Sequence, residues 1–146
     1  MPDANIKDTL SEMARVLTSR GLGGIWMITL VDTDGMVLAS WQSPDNKVSP
    51  EGLGGFIQIF HRTMNAFKQS PVGFTRFDDI IFSTTLMYQL IKPLADATCF
   101  VVVSAPRNMP LGEIRTQCNI YAPRLEQALP GHAPSPRSDG LGTIVP

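Results

Sequence analysis

No apolar run in this 146-residue sequence approaches the roughly 20 residues needed to cross a bilayer. Direct membrane insertion is therefore not expected. The opening residues, Met1-Pro2-Asp3-Ala4-Asn5, lack the basic and apolar segments of a signal peptide, so a cytoplasmic location is expected. Charge of one sign is also missing. Twelve Lys and Arg face thirteen Asp and Glu, for a formal net charge of −1. That balance gives no electrostatic reason to expect nucleic acid or an anionic membrane as partner. There are two cysteines, Cys99 and Cys118, with no CxxC or zinc spacing; the first lies in an apolar run and the second in a helical pattern. Buried, reduced thiols are expected at both. The two histidines, His61 and His132, have no Cys, Asp or second His at ligand spacing. No GxSxG elbow, HExxH pair or P-loop occurs. Gly21-Leu22-Gly23-Gly24 precedes a strand, whereas dinucleotide binding places its glycines after one. Asp78-Asp79 is a carboxylate pair, but neighbours along a strand point to opposite faces. The expectation is a chain without metal, cofactor or catalytic residues. A hydrolase reading fails for want of a nucleophile–base pair.

The stretch "VDTDGMVLAS", residues 31–40, packs two acidic residues and a glycine between two apolar runs. A calcium loop starting at Asp32 would need Gly at position six and Glu at position twelve, where Val37 and Ser43 stand. Starting at Asp34, those places hold Ala39 and Asp45. Neither frame binds calcium. Asp-Gly between two apolar runs instead predicts a hairpin turn joining strands over 25–31 and 36–41.

Around this hairpin the chain alternates between helical and strand periods. Ile6, Leu10, Met13 and Leu17 predict a helix over 4–19, ended near Gly21. Gln42 to Val48, with Pro44, reads as a loop. Ser49-Pro50-Glu51 then opens a helix predicted over 50–69. Gln69-Ser70-Pro71-Val72-Gly73 breaks it. Strands are predicted over 79–83, 86–91 (ended by Lys92-Pro93) and 97–104. The last of these, like 25–31, is apolar on both faces, as a central strand would be. A final helix over 110–128 carries Leu111, Ile114, Cys118, Tyr121 and Leu125 on one face, with a kink or register shift expected at Pro123. Residues 130–146 are rich in Pro, Gly and Ser and read as a disordered tail behind a single domain over 1–129. The order α-β-β-α-β-β-β-α predicts an α/β (α+β) sandwich, a five-stranded, mostly antiparallel sheet with helices on both faces.

The helix over 50–69 carries two stripes. Leu53, Phe56, Ile57, Phe60, Met64 and Phe67 form an apolar core face. About 100° round the helix lie Gly52, Gly55, Ile59, Thr63 and Ala66, small residues around one isoleucine. Glycine inside a helix costs about 1 kcal/mol relative to alanine. Gly52, Gly54 and Gly55 therefore point to close approach of another backbone, or to a helix that starts later. The remaining arc holds Gln58, His61, Arg62 and Asn65.

This element order, the "VDTDGMVLAS" hairpin and the stretch "PRNMPLGEIRTQCNIYAPRLEQAL", with Asn108, Leu111-Gly112, Ile114 and Arg115, resemble the roadblock family. That family takes in dynein light chains, scaffolds that hold small GTPases, and bacterial gliding-motility GTPase regulators. The resemblance covers roughly residues 6–129. It implies a profilin-like or longin-like sandwich, with the second helix on one face and the first and last on the other. It further implies a homodimer through the second helix and the strand after it, here Gly52, Gly55, Ile59, Thr63, Ala66, Ile80 and Phe82. As a member of such a family the protein would be no enzyme but a scaffold. It would bind a small Ras-like GTPase and alter that protein's nucleotide turnover without inserting an arginine finger. Gln58, His61, Arg62 and Asn65 would then face the GTPase. A sensor of PAS type is the rival: Phe56, Phe60, Met64 and Phe67 would line a cavity for a small molecule.

Overall fold

The structure is a computed structural model that describes residues 2–20, 24–69 and 77–129. Its elements follow the predicted order: α1 (Pro2–Arg20), β1 (Met27–Asp32), β2 (Val37–Gln42), α2 (Gly54–Lys68), β3 (Ile80–Ser83), β4 (Met87–Leu94), β5 (Cys99–Pro106) and α3 (Leu111–Ala128). The strands form one sheet in the order β2-β1-β5-β4-β3, with every neighbouring pair antiparallel. β1 and β5, the strands apolar on both faces, lie inside the sheet. Gly21, the Ser70-Pro71-Val72-Gly73 break, His132 and the tail from 130 lie outside the described residues.

Alternation along the strands divides the interior into two layers. Ile28, Leu30, Val101, Val103 and Leu90 point to α1 and α3, where they meet Leu10, Met13, Leu17, Ile114, Cys118 and Leu125. Met27, Val31, Phe100, Val102 and Ile91 point the other way, onto Leu53 just before α2 and Ile57, Phe60 and Met64 of α2. The expected division of helices between the faces is met. Both cysteines are free and buried, and burial pushes each thiol up to about 12.

α1 and α3 are tied at the surface by one carboxylate. Glu12 accepts two bonds from the Arg124 guanidinium, at 2.9 and 3.0 Å, and a third at 2.8 Å from the Tyr121 hydroxyl. The Arg124 bonds, and then that of Tyr121, hold its pKa down at about 2, against an ordinary 4.5. A depressed carboxylate stabilises the fold fully above its unfolded pKa and ceases to as pH falls through the folded one. The melting-temperature gap between wild type and Glu12→Gln is thus expected to be full at pH 6, to shrink below about 4.5 and to close near pH 2. Thermal scans across that range check it; a gap independent of pH would mean that the charge of Glu12 plays no part.

Four local expectations need correction. Residues 50–53 form a 3₁₀ turn and the α-helix begins at Gly54. Ser49 does not cap it: its Oγ accepts no N–H there, and its hydroxyl donates to the Glu51 carboxylate at 2.9 Å. β4 starts after Leu86, which is exposed in the turn, and runs through Pro93 to Leu94. β3 pairs β4 no further than Ile91, so at Pro93 the strand has β5 alone as neighbour. A missing N–H is tolerated on such a local edge. The last strand begins at Cys99, two residues late, because Ala95, Asp96 and Ala97 turn the hairpin at φ of 50°, 57° and 66°. Glu126 holds this left-handed turn by accepting the Ala95 N–H at 2.8 Å. α3 continues past Pro123, which sits on its exposed side.

Candidate interaction surface

The "TDG" turn has no cation geometry. Asp32 Oδ1 accepts the N–H groups of Asp34 and Met36, each at 2.9 Å, so the carboxylate caps its own backbone. Gly35 sits at φ +88°, and a Cβ placed on it would stand 2.7 Å from the Cα of Gly54. The turn thus rests directly on the first residue of α2. This close approach requires glycine at 35; a Cβ on Gly54 would lie 3.7 Å from the Gly35 Cα, an ordinary contact. Gly52 and Gly55 have nothing within 4 Å of an added Cβ and face outward. Among the described residues, no group of three His, Cys, Asp or Glu is placed to hold a metal.

α2 buries a narrow strip and exposes a wide one. Leu53, Ile57, Phe60 and Met64 are buried on the sheet. Phe60 packs against Phe77 and Phe100, with ring centroids 5.8 and 5.6 Å away. Phe56 and Phe67, expected in the core, are 37% and 41% exposed, and Ile59 beside them is 49% exposed. Thr63, half-buried on the same flank, donates its hydroxyl to the Ile59 carbonyl one turn back at 2.8 Å, so the hydroxyl is satisfied within the helix. Ala66 and Gly55 continue the exposed flank. The signal was present in the sequence: from Ile57 to Ile59 the apolar arc spans roughly 160° at 100° per residue, wider than one sheet face needs.

The flank continues onto the edge of the sheet. β3 is an edge strand of four residues. Phe82 meets Phe56 edge to face at 5.1 Å, while Ile80 and Phe82 are half-buried against the α2 layer. Phe56, Ile59, Phe67 and Phe82 therefore make one apolar surface beside an unpaired strand edge. Of the residues expected to face a GTPase, Gln58, Arg62 and Asn65 are exposed and His61 is half-buried; they lie together on the far arc of α2. Asp78 and Asp79 part company as expected: Asp79 pairs with Arg115, and Asp78 faces solvent.

This arrangement of sheet, paired helices and single opposed helix is the roadblock/LC7 fold, as the sequence led one to expect. Among solved structures, one described as MglB with tetrameric arrangement superposes with a TM-score of 0.73 at 19% identity, over 88% of this chain and 93% of that one. The gliding protein MglB from Thermus thermophilus gives 0.68 at 17%, over 87% and 90%. A Roadblock/LC7 domain from Streptomyces avermitilis gives 0.65 at 12%, over 81% and 95%. No protein-family model and no curated protein sequence matches the chain.

Proposed function

We propose that this domain is a cytoplasmic, non-enzymatic scaffold that pairs with a second copy of itself through α2 and β3 and holds a small Ras-like GTPase on the outer arc of the paired helices. The observation that carries the reading is the exposed apolar flank of Phe56, Ile59 and Phe67 running onto Phe82 at an open strand edge. A two-fold contact uses one such patch twice and covers it. Gly52, Gly55, Thr63 and Ala66 let the second helix come close, while Ile80 and Phe82 bring the two edges together. Gln58, His61, Arg62 and Asn65 from both copies then form one polar surface on the outside. The resemblance of fold to MglB structures supports a regulator of nucleotide turnover in the bound GTPase. No helix among the described residues is long and apolar enough to cross a membrane.

The sensor reading draws no support from α2. Phe60 and Met64 are packed on the sheet, and Phe56 and Phe67 stand at the surface. An open cavity of about 320 Å³ lies elsewhere, between the end of α1 and the Trp26 and Trp41 side chains.

Light scattering at micromolar concentration is expected to give twice the chain mass; a monomer would end the pairing model. Arg62 is the best anchor of the outer arc, because arginine is over-represented among residues that dominate interfaces. Arg62→Glu is expected to weaken binding of a cognate Ras-like GTPase at least about tenfold in titration calorimetry, with dimer mass and melting temperature unchanged. Unaltered affinity would put the GTPase on another surface. A collapsed dimer would exchange the roles of the two α2 arcs.

A further inference from the structure

β3 is a short edge strand. Its four residues pair with β4 on one side and, among the described residues, with no strand on the other. Ile80 and Phe82 pack against the α2 layer and Ile81 against the opposite one, which anchors the faces of the strand. Its two ends are held by three cations, on α3, on β4 and just after β5. Arg115 of α3 grips Asp79, the residue before β3, through Nε at 2.8 Å and Nη2 at 2.9 Å. The Asp79 carboxylate is 7% exposed, so this pair is shielded from solvent on the acidic side. Lys92 of β4 donates to the Asp78 carbonyl at 3.2 Å. At the other end Arg107, just after β5, donates to the Ser83 hydroxyl at 3.3 Å and to the Thr84 carbonyl. Its guanidinium also lies 4.8 Å from the centre of the Tyr88 ring, which fixes its direction. None of these contacts crosses the outward edge of β3. They hold the strand from behind and leave its outward backbone edge clear, beside the half-buried Phe82.

We infer that Arg115, with Lys92 and Arg107, is a positioning residue for self-association: the three side chains preset the edge strand that a second copy pairs with. The inference rests on the pairing model above and adds its control. A preset edge binds with less ordering at the moment of contact, so the strength of pairing follows the strength of the staple. Arg115 is half exposed, and exposed charge pairs weaken as salt rises. Pairing should therefore weaken with salt, although the patch that it covers is apolar.

The test separates the staple from the pairing model by reading each on its own signal. Hydrogen exchange of the Ile80–Ser83 amides reads the staple, and sedimentation equilibrium from about 0.05 to about 1 M NaCl reads the dimer. In Arg115→Ala we expect β3 amides to exchange at least about tenfold faster and the dimer dissociation constant to rise at least about tenfold, with exchange in β1 and β5 unchanged. Arg115→Lys, which keeps the charge but not the two-pronged grip, should fall between the two. The exchanged pair Asp79→Arg with Arg115→Asp should recover most of the loss. Wild-type pairing should weaken with salt more steeply than that of Arg115→Ala. Unchanged β3 exchange in Arg115→Ala would overturn the staple. Faster exchange at unaltered dissociation constant would overturn its control of pairing. A wild type monomeric at every concentration would end the pairing model and this inference with it, while the exchange data would still say whether the three cations hold the strand. General loss of protection in Arg115→Ala, unrelieved in Arg115→Lys and in the exchanged pair, would mark Arg115 as a plain fold residue and count against the inference.

Discussion

Phe60→Ala is expected to lower the free energy of unfolding by about 3–5 kcal/mol, the usual range for emptying a buried aromatic site. Phe60 is fully buried, and its ring lies between Phe77 and Phe100. Phe100 cannot move into the space, because it belongs to a central strand paired on both sides. The contrast with Phe56, one helical turn earlier, makes the result specific. Phe56 is 37% exposed and touches Phe82 at the sheet edge. Phe56→Ala should cost the fold under about 1.5 kcal/mol, with its larger effect on self-association. Urea denaturation of both variants at one protein concentration measures the difference. Equal losses would mean that α2 is rotated on the sheet relative to the structure.

The second large effect is expected at Gly35. A side chain there meets two obstacles at once. At φ +88° a Cβ crowds its own backbone, which costs about 1–2 kcal/mol. It would also stand 2.7 Å from the Gly54 Cα, a backbone atom with no rotamer to escape into. Either the turn lifts from α2 or the helix start moves. Gly35→Ala should therefore destabilise by about 2–4 kcal/mol in total. The converse change is expected to be mild. A Cβ at Gly54 lies 3.7 Å from Gly35, an ordinary contact, in a residue already in helical conformation. Gly54→Ala should stay within about 0.5 kcal/mol of wild type, because the better helix propensity offsets the closer packing. Thermal melts of the two single variants decide the matter, and a severe Gly54→Ala would show that both glycines are required.

Much of this architecture was legible in residue periods. β1 and β5 announced themselves as doubly covered because Ile28, Leu30, Val101 and Val103 alternate with Met27, Val31, Phe100 and Val102, all apolar. α3 showed its buried face in Ile114, Cys118, Tyr121 and Leu125. The Asp-Gly turn was readable because the carboxylate that caps it and the glycine that permits it are local chemistry. Errors came where a neighbour distant in sequence overrode a local rule. Pro93 reads as a stop, yet it is tolerated because β3 has already ended beside it. Ser49 reads as a cap, yet its Oγ accepts no N–H of the following turn and donates instead to the Glu51 carboxylate.

The sequence by itself determined the order of the elements and the two-layered core, because each follows from periods, spacings and residue types within a few turns of chain. Only the tertiary structure decided how the wide apolar arc of α2 divides. It buries Leu53, Ile57, Phe60 and Met64 and leaves Phe56, Ile59 and Phe67 outside. Periodicity marks a face as apolar, but the sheet covers only what lies within reach of its side chains. What lies beyond stays free for a partner. The same holds for the backbone contact of Gly35 with Gly54 and for the grip of Arg115 on Asp79. Both join residues that no local pattern links, because chain separation hides a distance that folding sets.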